Sequence, residues 1–431
     1  MGEPLSGIEG LALAWLSPEL VLLTALGTGA GVYIGAIPGL SVTMAVSILI
    51  SFTFAWDPEE ALALMAGVYL GGVYGGARSA ILLNIPGAPS AIATALDGYP
   101  IAQRGEAGAA IGLATVMSVI GGFVGIAVLA FAAPVIAEFA ITFQPRDYLM
   151  LALLGLLLVG SLSGPSLAKG LVAAALGVLV GTVGLDPLTA EERFTFGVVE
   201  LWAGISPIAV MIGVFGVAEA LVQLHHLDRR AIRQRVDRIL PSLRLVRRFL
   251  PLSLQTSTLG TFIGALPGTG GDIAALLAYD HARRVTRKPS RPFGEGAWEG
   301  LVAPETANNA AGGGAYVPML TLGIPGDAVT AVIIGALFIH GLNPGPMLLV
   351  EHPHMFWFTV GNLVLANLFV LLFGLTGIRV FTRLVECPKA ILVPLILVLS
   401  VIGADAINNS VIDLYFMLGF GVLGYFMRMY G

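Results

Sequence analysis

The run Gly312-Gly313-Gly314-Ala315-Tyr316-Val317-Pro318-Met319-Leu320-Thr321-Leu322-Gly323-Ile324-Pro325-Gly326, preceded by Glu305-Thr306-Ala307-Asn308-Asn309, is apolar enough to lie at membrane depth. It is also too rich in glycine and proline to read as an ordinary spanning helix. Backbone that cannot stay helical survives inside a membrane only where protein buries it or where it lines a wet cavity. The stretch is therefore the first place to look for a binding site. A related stretch runs from Gly75-Gly76-Ala77 to Ile85-Pro86-Gly87. Each of the two follows a shorter Pro-Gly run: Gly35-Ala36-Ile37-Pro38-Gly39-Leu40-Ser41 early, and Gly264-Ala265-Leu266-Pro267-Gly268-Thr269-Gly270 late.

The 431 residues are 56% hydrophobic and 11% charged, against about 25% charged in soluble proteins. With about ten apolar runs of spanning length or fragments of them, the chain reads as a polytopic, all-α membrane protein. Its 56 glycines suit close helix packing and broken helices. The single Cys387 excludes an internal disulfide and a cysteine-based metal cluster. Glu3 and Glu9, with no Lys or Arg nearby, do not read as a cleaved signal peptide.

Charge orders the topology. Residues 1–77 hold no Lys or Arg but carry Glu3, Glu9, Glu19, Asp57, Glu59 and Glu60, so the N-terminus is expected outside the cytoplasm. Arms at about 20–37 and 41–56 meet at Pro38-Gly39, a hairpin tip returning to the outside. A broken segment is expected at 77–100, then spans at about 107–136, 148–163, 167–184 and 198–224. Residues 225–249 form a basic cytoplasmic linker with eight Arg against two Asp. A second hairpin, with arms at about 250–265 and 271–280, is flanked by Arg244, Arg247 and Arg248 and by Arg283, Arg284, Arg287, Lys288 and Arg291. It enters from the cytoplasm, which places 281–296 there too. A broken segment at about 297–345 and spans at about 354–378, 388–404 and 411–427 complete the chain. Residues 1–224 and 250–431 thus read as two inverted-topology repeats with Pro-Gly-tipped hairpins and broken helices, the second one crossing short of the first.

Inverted repeats with matched breaks point to a secondary transporter with a midplane site. Helix starts leave N–H groups that attract anions, and helix ends leave carbonyls that attract cations. Tips at Pro38, Pro86, Pro267 and Pro325 can hold an anionic substrate and Na⁺ with few charged side chains. Asn308 and Asn309 beside Gly313 and Gly314 suit a carboxylate or Na⁺, or else an interhelical hydrogen bond. Thr321, Pro325 and Gly326 extend that substrate set; Ser79, Asn84, Pro86, Gly87 and Thr94 are the first-half counterparts. Arg78 is either a fork for a substrate carboxylate or an interface residue. Glu305 and Asp97 are cation-coupling candidates, as are the tips Pro38, Gly39, Pro267 and Gly268. Asp272 and Asp327 each follow a tip and read foremost as helix caps. His340, His352 and His354 match no metal spacing, and no cofactor is expected beyond Na⁺ as a coupling ion. No Walker loop, His-Glu-x-x-His or Gly-x-Ser-x-Gly pattern supports an enzyme.

The run Gly67-Val68-Tyr69-Leu70-Gly71-Gly72-Val73-Tyr74-Gly75-Gly76, continuing through Asn84-Ile85-Pro86-Gly87 to Asp97-Gly98-Tyr99-Pro100, resembles the large membrane subunit of the tripartite tricarboxylate transporters. So do Ala303-Pro304-Glu305-Thr306-Ala307-Asn308-Asn309-Ala310, Thr321-Leu322-Gly323-Ile324-Pro325-Gly326 and Gly341-Leu342-Asn343-Pro344-Gly345-Pro346. The resemblance covers nearly the whole chain from about residue 20. It implies Na⁺- or H⁺-coupled uptake of tricarboxylates or other organic carboxylates across a bacterial inner membrane. It also implies a periplasmic solute-binding protein and a small membrane subunit as partners. A carboxylate-permeable channel without cation coupling is the alternative.

Overall fold

A computed structural model of the chain describes residues 7–37, 40–162, 166–186, 189–224, 239–377, 389–408 and 410–430. Pro38, Gly39 and most of the basic linker, 225–238, lie outside the described residues. The described chain is helical apart from one antiparallel pair of two-residue strands, β1 (Gly184–Leu185) and β2 (Glu192–Arg193). Among the described residues five segments are long and apolar enough to cross a membrane: Pro18–Ala36, Ala91–Ala140, Pro207–Leu224, Pro353–Thr376 and Val411–Tyr430. The chain clusters into two compact units, one of residues 1–42, 56–143 and 229–387, the other of 43–55, 144–228 and 388–431.

The first unit contains α1 (Gly7–Leu16), α2 (Pro18–Ala36), α4 (Pro58–Leu83), α5 (Ala91–Ile101) and α6 (Ala107–Ala140). Later in the chain it adds α11 (Leu243–Gly264), α12 (Gly270–Val285), α13 (Trp298–Leu322), α14 (Ala328–Ile339), α15 (Pro346–Glu351) and α16 (Pro353–Thr376). Helix α1 has no counterpart in the expected elements, and α11 begins within the stretch expected to be linker. Glycines set the spacing of these helices. Gly27, Gly31 and Gly35 of α2 lie on the carbonyls of Leu64, Val68 and Gly72 of α4, and a Cβ at any of them would strike that backbone. Gly75 returns the contact on Val32. Likewise Gly260 and Gly264 of α11 lie on the carbonyls of Ala307 and Ala311 of α13, and Gly314 returns the contact on Thr261. The second set repeats the first at constant residue offsets. On a second face of α13, one residue round the helix, Gly121 and Gly125 of α6 lie on Thr306 and Ala310, and Gly313 lies on Gly125.

That packing corrects the expected position of the breaks. Gly75–Ala77 and Gly312–Gly314 are helical, inside α4 and α13. A glycine costs a helix interior about 1 kcal/mol relative to alanine. Here the close backbone approach it permits compensates through dispersion contacts that larger residues exclude. Helix α13 is buried from Glu299 to Thr321 and absorbs Pro304 and Pro318 without ending. The chain leaves the helix only afterwards. Helix α4 ends on Asn84, left-handed at φ 53°, and α13 on Gly323, left-handed at φ 69°; each is followed by Ile-Pro-Gly. Asn and Gly are the residues that accept this conformation at a helix end. Helix α14 then runs for 12 residues, about half a membrane crossing, whereas α5 runs for 11 and continues through a π-helical stretch, Ala102–Glu106, kinked at Gly105, into α6.

The second unit holds α7 (Pro145–Leu162), α8 (Leu167–Gly181), α9 (Pro207–Met211), α10 (Ala218–Leu224), α17 (Lys389–Asn408), α18 (Val411–Tyr430) and all of α3 (Val42–Thr53) but its first residue. The last expected span of the first half starts at Pro207 rather than 198, after β2 and a 3₁₀ turn at Val199–Leu201. A π-helical stretch, Ile212–Val217, joins α9 to α10, and α18 packs on it through Gly213 against Met417 and Gly421 against Val217. Arg428 pairs with Glu219, which also accepts from Gln223 at 2.9 Å.

Candidate functional site

In the first unit, segments from early and late in the chain meet through polar contacts between otherwise apolar or small-residue helices. Glu305, on α13 and 1% exposed, is held at its carboxylate by hydroxyls from two other helices. Thr94 of α5 donates to one oxygen and Ser118 of α6 donates to the other at 3.1 Å. The Asn309 amide donates to the Glu305 backbone carbonyl at 3.0 Å, one turn earlier on the same helix. Asn308 turns the other way and donates to the Val73 carbonyl of α4 at 3.1 Å, so its own carbonyl oxygen faces Gly271 at the start of α12.

The helix starts around the breaks are filled by protein carboxylates. Asp272 of α12 accepts from the Ser90 N–H, the entry to α5, at 2.9 Å. Asp327 caps α14 by accepting from the Thr330 N–H at 2.8 Å, while the Thr330 hydroxyl accepts from the Asp327 N–H at 2.9 Å. Its second oxygen accepts from the Tyr69 hydroxyl of α4 at 2.5 Å. At each of these two starts, then, one N–H group that could have held an anion already meets a protein carboxylate. Beside the first break, Asn84, Pro86, Ile92, Leu96 and Tyr99 line an open recess of about 370 Å³.

The other candidates make contacts within the protein. Asp97 accepts from the N–H groups of Gly294, Gly296 and Ala297 at 2.9, 2.8 and 2.7 Å, and from the Tyr279 hydroxyl at 2.9 Å. It is a tertiary cap on the start of α13. Arg78 is fully buried and reaches the Phe373 and Gly374 carbonyls of α16 at 2.6 and 2.9 Å, with Tyr74 beside it. Thr321 returns its hydroxyl to the Val317 carbonyl at 2.7 Å. Gly313 and Gly314 are helix-crossing contacts. Gly87 packs on Gly35, Gly76 and Ser79, and Gly326, next to Pro325, packs on Gly264 and Ala315, the same arrangement at the later break. Pro267 and Gly268 stand in the turn between α11 and α12, with Gly268 at φ 79°. His352 and His354 stack edge to face at 6.0 Å, and among the described residues no three His, Cys, Asp or Glu side chains converge.

Tyr69 and Ser118 were outside the expected set. Neither stands beside a Pro-Gly tip, and nothing local distinguishes them from neighbouring helix residues. Only Asp272 and Asp327, each just past a tip, were marked by position.

Comparison with known proteins is consistent across the chain. The family described as "Tripartite tricarboxylate transporter TctA family" matches residues 21–431. A protein of Agrobacterium vitis, described as an uncharacterized 52.8 kDa protein in the TAR-I ttuC' 3' region, is 37% identical over 428 residues, covering 98% of this chain and 85% of its own length. A second protein of that organism, from the TAR-II ttuC' 3' region, is 36% identical over 172 residues, 40% of this chain and 71% of its own. No solved structure matches.

Proposed function

The chain belongs to the tripartite tricarboxylate transporter TctA family, as its large membrane subunit, and from that premise we propose that it takes up organic carboxylates by cation symport. It is a multi-pass transporter component and not an enzyme. A tripartite system implies a solute-binding protein and a small membrane subunit as partners, and a carboxylate as substrate. The finer reading is that a periplasmic binding protein delivers tricarboxylates or related carboxylates to a site inside the first unit, with Na⁺ or H⁺ as the driving ion.

One observation carries this reading. The α2–α4 and α11–α13 pairs repeat one set of glycine-on-carbonyl contacts, and each pair leads to a left-handed helix end followed by Ile-Pro-Gly. Opposite charge flanks the two Pro-Gly tips. Together these support two inverted repeats, 1–224 and 250–431, with the N-terminus periplasmic and 225–249 and 281–296 cytoplasmic. In this reading the polar residues of α4 and α13 and of the segments after the breaks lie at mid-depth, where an ion and its substrate can be held by few charges. In this arrangement Asn84, Asn308 and Asn309 supply substrate contacts, and Glu305 belongs to cation coupling.

The test is uptake by proteoliposomes holding the chain, the small subunit and the binding protein, with a panel of carboxylates. Partner-dependent uptake driven by an imposed Na⁺ or proton gradient is expected. Flux that ignores both gradients and needs no binding protein would defeat the symport reading and favour a channel.

A further inference from the structure

Cations without partners gather at one end of the α11–α12 hairpin. Arg244 and Arg247 stand in the first two turns of α11, Arg283 in the last turn of α12, and Arg287, Lys288 and Arg291 in the loop that follows. Glu299 joins the two ends of the hairpin: Arg248 of α11 approaches it at 3.8 Å, and the Ser290 N–H of the loop donates to it at 3.0 Å. Arg244, Arg247, Arg283, Arg287, Lys288 and Arg291 are all exposed. Among the described residues none of them pairs with a carboxylate or donates a side-chain hydrogen bond.

The carboxylates nearby are already engaged. Asp280 pairs with Arg284 at 2.7 Å, Glu299 is shared by Arg248 and Ser290, and Asp97 takes three N–H groups of the same loop. The loop itself, 286–297, sets three cations against Glu295 alone. These bonds hold the loop in place, together with Arg104, which donates to the carbonyls of Glu295 and Gly296 at 2.8 and 3.0 Å. The cations therefore repel one another from a fixed frame, and an arriving anion does not have to order that frame first.

A second feature says which anion. On α11, Arg247 is followed along one face by Leu254, Thr258 and Phe262, and Leu254 and Phe262 are 47% and 67% exposed. On α12, Leu276 and Leu277, 48% and 46% exposed, stand seven residues before Arg283 and Arg284. Both helices thus carry an exposed apolar residue two turns, about 10 Å, inside an exposed arginine on the same face. A small soluble anion would use the charges and leave the leucines bare. A phospholipid uses both, with its phosphate at the arginines and its chains over the leucines.

We propose that this end of the α11–α12 hairpin is a binding surface for anionic phospholipid. The planar guanidinium fork takes two phosphate oxygens at once, and the residual negative charge of the lipid offsets the repulsion among the cations. This surface goes beyond the transport reading and does not depend on it.

The test uses full-length protein in detergent, with thermal unfolding as the readout. The protein is titrated with mixed micelles of phosphatidylglycerol, with mixed micelles of phosphatidylcholine of the same chains, and with glycerol phosphate alone. Saturable stabilisation by phosphatidylglycerol only is expected, with a midpoint that rises with salt. Arg244→Gln/Arg247→Gln and Arg283→Gln/Arg287→Gln are each expected to move that midpoint at least tenfold higher. Arg146→Gln, which removes a cation 78% exposed on α7, is expected to leave it in place. The substituted side chains are exposed and hold no partner that glutamine would strand, so the folded state persists. Equal stabilisation by phosphatidylcholine, saturation by glycerol phosphate at the same concentrations, an unmoved midpoint in both double variants, or an equal shift in Arg146→Gln overturns the surface. The first two outcomes need only the wild-type chain. Carboxylate uptake that fails under every gradient would defeat the transport reading and leave this surface standing.

Discussion

In the sequence Asn308 is a substrate-binding candidate and Asp97 a cation-coupling one, and their surroundings differ as much. Asp97 has four donors on its two oxygens and closes the start of α13. Replacing it by alanine strands three buried or half-buried N–H groups, each costing about 1–3 kcal/mol when unsatisfied, so a loss of about 3 kcal/mol is expected. Denaturant or thermal unfolding in detergent should show that loss for Asp97→Ala and a smaller one for Asp97→Asn. Asn308 has a free acceptor and one anchoring bond. Asn308→Ala should therefore lower uptake at least tenfold while membrane insertion and unfolding temperature change little. Wild-type uptake in that variant would remove it from the site. Glu305 was visible in the sequence because a carboxylate in an apolar run needs a reason. Its partners Thr94 and Ser118 come from two other helices, α5 and α6. Ser118 had no local signal, since a lone hydroxyl is common in membrane helices and usually returns to its own backbone.

At the scale of elements, glycine was read as a breaker and acts as a spacer. The three glycines at 312–314 stay helical because neighbouring helices press against them. The breaks fall where an αL residue, Asn84 or Gly323, precedes Ile-Pro-Gly; the expected broken segments, 77–100 and about 297–345, start well before them, the second by the whole length of α13. Crossing positions should be intolerant of size, and equivalent positions should behave alike. Gly75→Leu and Gly314→Leu are each expected to abolish accumulation of folded protein, since both sites meet backbone. Gly177→Leu, where a Cβ meets nothing within 4 Å, should be silent. Fluorescence-detected size exclusion of the three variants separates these cases. A tolerated Gly314→Leu would mean that α13 does not lie on α11 as described.

For the whole molecule, topology is the open prediction. In a Cys387→Ser background, single cysteines at Glu60 and Lys288 should react with a membrane-impermeant maleimide from opposite faces, the first from outside. Labelling of both from one face would end the inverted-repeat reading. Membrane residence and helical class were written in the sequence, as were the breaks at the two Ile-Pro-Gly runs after α4 and α13, because bilayer insertion depends on local hydropathy and breaks depend on residues that cannot stay helical. Which polar groups meet was not. The joining of Thr94 to Glu305, Ser90 to Asp272 and Tyr69 to Asp327 depends on helices far apart in the chain lying at glycine-set distances. Hydropathy and spacing are properties of neighbours along the chain. Which hydroxyl or N–H group meets each buried carboxylate is a property of neighbours in space, and only the tertiary structure decided it.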